Sequence, residues 1–132
     1  MKAIIRYYDD WEVPELFRFS TLPMLDMTIH AAPHKRQHRA VLQQYRTDLT
    51  ELATRRLFDK IELPIDWPIS LRVLFTNPNS PDLDHTIEAL YMALDGKTLE
   101  GPSILTDDRH IQAVQMSKIY SAAPTKRDRP NR

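Results

Sequence analysis

The sequence predicts an α+β domain, a mixed α/β arrangement of one small mixed sheet and two main helices, on three observations. Short runs with period-two alternation, above all ISLRVLFT from Ile69 to Thr76, predict strands. Longer runs with apolar residues at steps of three and four predict the helices. The chain has 132 residues, 42% hydrophobic and 27% charged, which suits one domain around one core. That single domain is expected over residues 1–122. Residues 123–132, polar, proline-containing and rich in Lys126, Arg127, Arg129 and Arg132, are expected to form a flexible basic tail.

Taken in order, Ala3 to Tyr8 is apolar and aromatic, a strand ended by Asp9 and Asp10. Leu25 to His30 alternates as a second strand and stops before Pro33. From Arg36 to Phe58 no proline or glycine interrupts the spacing of Leu42, Tyr45, Leu49 and Leu52, so this is the longest helix. Pro64 and Pro68 bracket a connector to the third strand, where Ile69, Leu71, Val73 and Phe75 share one face. NPNSP, Asn77 to Pro81, is a loop by composition. Ile87, Leu90, Tyr91 and Leu94 mark the second helix, stopped by Gly96. Lys97 to Thr106 is loop-like, and His110 to Tyr120 is a final strand of imperfect alternation.

Composition removes several classes of function. Without cysteine there is no disulfide framework, no thiolate metal site and no cysteine nucleophile, which is compatible with the reducing cytoplasm expected here. No apolar run reaches the roughly 20 residues of a membrane span, and Met1 to Asp10 does not read as a signal peptide. The glycines number two, Gly96 and Gly101, too few for a phosphate-cradling loop, so no nucleotide cofactor is expected. Net charge is zero, yet it is unevenly laid out. Thr28 to Lys60 carries seven Lys/Arg against three Asp/Glu, Ile61 to Asp108 two against nine, and Arg109 to Arg132 six against one. Acids between bases suit a protein that holds a metal and a phosphate backbone together.

The acids concentrate in PDLDHTIEALYMAL, Pro81 to Leu94, and in LTDDRHIQAV. Asp82 and Asp84 fall where a strand has ended and a helix begins. Carboxylates crowded together repel unless a hard divalent cation neutralises them, and Mg²⁺ takes oxygen ligands while keeping waters for a phosphodiester. Asp82, Asp84 and Asp108 are therefore the expected metal ligands. Such an ion polarises a phosphate oxygen and acidifies a bound water.

At these residues the sequence resembles the RusA-type Holliday-junction resolvases, over about Ser70 to Tyr120, with weaker similarity at MTIHAAPHKRQ. The resemblance implies a homodimeric endonuclease that binds four-way DNA junctions in recombination and repair and nicks opposed strands. It implies Mg²⁺, with Mn²⁺ as a substitute, on both aspartates of Asp-Leu-Asp and the second of Asp-Asp: Asp82, Asp84 and Asp108. The family carries a lysine needed for cleavage four residues after the second aspartate; here that position is Glu88. Either another base substitutes, with Lys97 and Lys118 as candidates, or Glu88 joins the metal shell, or cleavage is weakened. The last alternative makes the chain a junction-binding protein with little or no activity. Lys35, Arg36 and Arg39 form the densest basic patch and, with Lys97 and Lys118, are the expected DNA contacts.

Overall fold

The computed structural model describes residues 2–121; the expected basic tail at 123–132 lies outside them. The chain folds as a small α+β domain, a mixed four-stranded sheet with two helices. Strands β1 (Ala3–Tyr8), β2 (Met24–His30), β3 (Ile69–Thr76) and β4 (Ile111–Ile119) lie in the order β1-β2-β3-β4. β1 runs antiparallel to β2, with Ile5 opposite Met27. β2, β3 and β4 are mutually parallel, with Met27 opposite Val73 and Val73 opposite Met116. Helix α1 (Arg39–Leu57) connects β2 to β3, and α2 (Leu83–Leu94) connects β3 to β4. Both crossovers step the same way along the sheet, so right-handed connections set both helices on one face.

That face explains the apolar spacing. Leu25, Met27, Ile29, Leu71, Val73 and Phe75 are buried beneath Leu42, Tyr45, Leu49 and Ala53 of α1 and Leu90 and Leu94 of α2. Each large side chain buried this way contributes about 1.5–3 kcal/mol. β4 differs: none of its nine residues is fully buried, which accounts for its irregular alternation.

Helix α1 begins at Arg39, three residues later than the spacing predicts. His34 to Gln37 instead form a turn, with the His34 amide donating to the Gln37 side chain at 3.0 Å and the Gln37 amide to the His34 carbonyl at 3.1 Å. Lys35 and Arg36 thus sit on a loop rather than a helix. Within α1, the guanidinium of Arg46 is buried and donates to the carbonyls of Pro102 (3.1 Å), Asp95 (2.6 Å) and Gly101 (2.7 Å). The segment after α2 is thereby pinned to the core.

On the opposite face, the end that carries Met24, Asp26 and Ser70 is covered by the segment between β1 and β2, for which the sequence predicts no element. Two single 3₁₀ turns, Asp10–Glu12 and Glu15–Phe17, carry it back over the sheet. The Phe17 ring lies 4.0 Å from the Arg72 guanidinium carbon, and Arg72 pairs with the buried Asp26 at 3.1 Å. Trp67 donates to the Tyr7 hydroxyl at 2.9 Å and meets its ring edge-on, a packing role.

Tyr45 is an exception to this economy of polar groups. Its hydroxyl is buried without a hydrogen-bond partner among the described residues, and burial pushes its pKa up. A buried orphan hydroxyl costs roughly 1–3 kcal/mol. Tyr45→Phe is expected to raise unfolding stability by about 1 kcal/mol in urea denaturation. A loss of that size would mean that the hydroxyl is satisfied in solution.

Candidate functional site

The three parallel strands β2, β3 and β4 all point their carboxyl ends at one edge of the sheet. Here that edge is built from the loop after β2, the loop after β3 and the end of β4. Ala31 and Asn77, directly after β2 and β3, both take positive φ (53° and 49°), turning the chain sharply off the sheet. Asn79 locks the two loops together: its amide donates to Ala32 and its side chain to the Ala31 carbonyl at 3.1 Å.

Asp82 follows as the N-cap of α2. One carboxylate oxygen accepts from the Asp84 amide at 3.0 Å, and the other lies 3.1 Å from His85 Nδ1. Both Asp82 and Asp84 are exposed at the positive end of the helix dipole, where negative charge is favoured. Lys118, near the end of β4, donates its ammonium to the Pro81 carbonyl beside them. From the other side the turn after β2 docks on the helix, with the Lys35 amide donating to the His85 carbonyl at 3.0 Å.

The Lys35 ammonium then reaches Glu88, 2.6 Å from its carboxylate. Glu88 is one helical turn beyond Asp84. A positive group therefore stands at this position, delivered across the fold rather than along the helix. The expected substitutes were Lys97 and Lys118; Lys118 is nearby, but Lys97 is not. Lys97 pairs with Asp107 at 2.8 Å, at the other end of α2.

Asp108 lies at that far end too. It opens a 3₁₀ turn just before β4, and its neighbours are Asp95 and Tyr91, from the closing turn of α2. Twelve helical residues separate the ends of α2 by about 18 Å, too far for one ion. Among the described residues, no three His, Asp or Glu side chains are grouped to hold a metal ion. The fold brings Asp82 and Asp84 together and does not bring Asp108 to them within one chain. The physical reason is direction: α2 must run antiparallel to β3 and β4, so motifs at its two ends occupy opposite edges of the sheet.

The two edges also differ electrostatically. Asp107 is held well below the usual carboxylate range, first by its hydrogen bond from Lys97 and then by the Arg109 amide. It caps the turn. Asp108 is pushed up, chiefly by burial and then by Asp95 and Asp107. Since its folded pKa exceeds the unfolded one, its favourable contribution exists below the ordinary carboxyl pKa and disappears as pH rises through the raised value. At neutral pH its charge is a cost. Asp108→Asn is therefore expected to raise Tm by roughly 1–3 °C at pH 7.5 and by less at pH 4. An equal gain at both pH values would remove charge as the cause.

Sequence reasoning missed the Lys35–Glu88 pair, which depends on a tertiary contact, and Asp95. The second was accessible: Asp84, Glu88, Tyr91 and Asp95 recur at steps of four, three and four, one stripe of α2. Of the expected DNA contacts, Arg39 is exposed and donates to the Thr98 carbonyl at 3.0 Å. Arg36 is exposed, and its side chain makes no ion pair or hydrogen bond among the described residues. No helix among them is long and apolar enough to cross a membrane. Comparison with family models, with curated proteins and with solved structures finds no match for this chain.

Two exposed carboxylates at a helix start fit Mg²⁺, which uses one or two protein carboxylates and takes its remaining ligands from water and phosphate. They do not make a closed cage. Lys35, Lys118 and Arg36 beside them supply positive charge where a phosphate backbone would approach.

Proposed function

We propose that this chain is a RusA-type DNA endonuclease, a homodimer that resolves four-way junctions with Mg²⁺, or Mn²⁺ in its place, in cytoplasmic recombination and repair. The observation that carries the reading is the placement of Asp82 and Asp84. They stand side by side where β3 gives way to α2, flanked by Lys35 and Lys118, with the Asp107-Asp108 pair opening the next parallel strand. Mg²⁺ supplies charge neutralisation and an acidified water. Asp82 and Asp84 hold the ion at the strand edge. Lys35, released from Glu88 as DNA docks, sets an ammonium against the scissile phosphate. Arg36 and Arg39 fix the neighbouring backbone.

The Lys35–Glu88 ion pair favours a second reading, a junction-binding protein that cuts weakly because its ammonium is already neutralised. Labelled four-way junctions incubated with the protein and Mg²⁺ decide between them. Paired symmetric nicks that vanish in Asp84→Asn support the endonuclease. Salt-sensitive junction binding with no nicks in Mg²⁺ or Mn²⁺ supports the second reading. Neither binding nor cutting sinks both.

A further inference from the structure

We propose that the cavity between the start of α1 and the loops after β2 and β3 binds a guanine base, with the Asp48 carboxylate and the Tyr45 hydroxyl as its hydrogen-bonding partners. A DNA source for that base rests on the endonuclease reading; the cavity itself does not. It measures about 420 Å³, within the roughly 300–1,000 Å³ of small-ligand sites. Ala31, Pro33, Ala40 and Val41 give it apolar walls suited to a flat ring. Tyr45 lies at the floor, 2% exposed, and its hydroxyl has no hydrogen-bond partner among the described residues. Buried polar groups are nearly always paired, so an orphan bordering a cavity marks what the cavity lacks. Burial keeps the phenol protonated, which leaves it one donor and two acceptor sites. Val41, 40% exposed, and the exposed Gln44 stand at the rim, and a ring entering between them reaches the floor.

The polar groups around the cavity choose the ligand. Asp48 accepts from the Gln44 amide nitrogen at 2.8 Å, which fixes how that amide points, because a carboxylate only accepts. The Gln44 carbonyl oxygen and the second Asp48 oxygen are then free to accept among the described residues. Asn79 likewise spends its amide nitrogen on the Ala31 carbonyl at 3.1 Å and keeps an accepting oxygen. The cavity is therefore rich in acceptors and calls for a ligand with adjacent N–H groups. The Tyr45 proton adds the opposite demand, an acceptor on the same ligand. A guanidinium or an ammonium meets the first demand and has no acceptor for the second. Adenine and cytosine offer one amino group with no N–H beside it, and thymine a single ring N–H. Guanine carries its ring N–H between an amino group and a carbonyl oxygen, which meets both. Charge agrees: Lys35, Arg36 and Arg39 lie in the stretch joining the Pro33 and Ala40 walls. That stretch repels a cation and favours the phosphate attached to a nucleobase.

Calorimetric titration of the full chain with the four deoxynucleoside monophosphates tests this. Deoxyguanosine monophosphate is expected to bind about 10-fold more tightly than the other three, the discrimination of a bidentate base contact. Asp48→Asn is expected to erase that preference. Tyr45→Phe, which keeps the ring and the fold, is expected to weaken guanine binding about 3- to 10-fold. Four-way junctions carrying guanine, or inosine without the amino group, supply the DNA arm. Preference for guanine on junctions that are not cut keeps the cavity and removes the endonuclease reading. Junction cleavage with equal affinity for all four monophosphates does the reverse. Preference confined to the monophosphate keeps the cavity and assigns it to a free nucleotide. Equal affinity for all four, no saturable binding, or undiminished guanine binding in both variants overturns the proposal. So does saturable binding of an acetylated arginine amide in place of guanine, which would give the cavity to a protein side chain.

Discussion

Arg46→Ala is expected to destabilise the domain by about 3–5 kcal/mol, the range for removing one partner from a buried charged network. The guanidinium is 1% exposed, and its three donors are shared among the carbonyls of Asp95, Gly101 and Pro102. Burial pulls its pKa down, which Asp95 partly opposes, but an arginine stays charged even so. Deleting it leaves a cavity beside Thr50 and the carbonyls of Asp95 and Gly101 without donors, while Pro102 keeps the Thr50 hydroxyl at 3.4 Å. Methionine would fill the volume and leave the carbonyls unsatisfied; lysine would satisfy one or two of them. The expected order of Tm is therefore wild type, Lys, Met, Ala, with Ala lower than wild type by about 10 °C or more. Thermal melts followed by circular dichroism check it. A Met variant as stable as wild type would show that shape, not hydrogen bonding, is what Arg46 contributes.

For Asp84→Asn the expected result is a loss of junction cleavage of about 10³-fold or more, with Tm changed little because the side chain is exposed. The amide keeps the size but donates where the metal requires an acceptor with charge. Lys35→Ala is expected to lose a smaller amount, about 10²-fold, comparable to deleting one donor to a developing anion. The two losses separate by probe: Mn²⁺ binding falls in Asp84→Asn and persists in Lys35→Ala. Single-turnover cleavage assays alongside Mn²⁺ titrations read both. Equal cleavage by wild type and Asp84→Asn would take the metal away from this end of α2.

Much of the fold is legible from local pattern. The strand at 69–76 and both helices follow from period, because each buries a single face, and the strand at 3–8 follows from its apolar and aromatic composition. The miss at the start of α1 has a local cause: His34 to Gln37 close a turn on their own side-chain hydrogen bonds, and no Ser, Thr, Asp or Asn stood at the cap to mark the boundary. The segment from Asp9 to Ser20 carries no period, since it is held by an ion pair from Lys60 to Glu12 and by Phe17 on Arg72. Those contacts span the chain and leave no trace in neighbouring residues.

The candidate site was legible by residue type and not by geometry. Asp82 and Asp84 are found at the helix start that their spacing predicts. Charge crowding and the family resemblance group Asp108 with them, yet the two motifs border opposite ends of α2, which means separation. Spacing along a chain gives proximity only within a turn or two. The ammonium at Glu88 shows the converse: Lys35, more than fifty positions earlier, supplies what the helix itself lacks.

Strand order along the sheet repeats strand order along the chain, and this bears on how the protein can be made. A polypeptide leaving the ribosome in sequence never has to pull apart strands already joined to admit another; every newcomer docks on the border that its predecessor left open. Closing each parallel pair still waits on a long excursion, with Met24 meeting Ser70 across an entire helix. Growth is thus slow at each step but one-directional, and among the described strands the border left for a newcomer is that of β4.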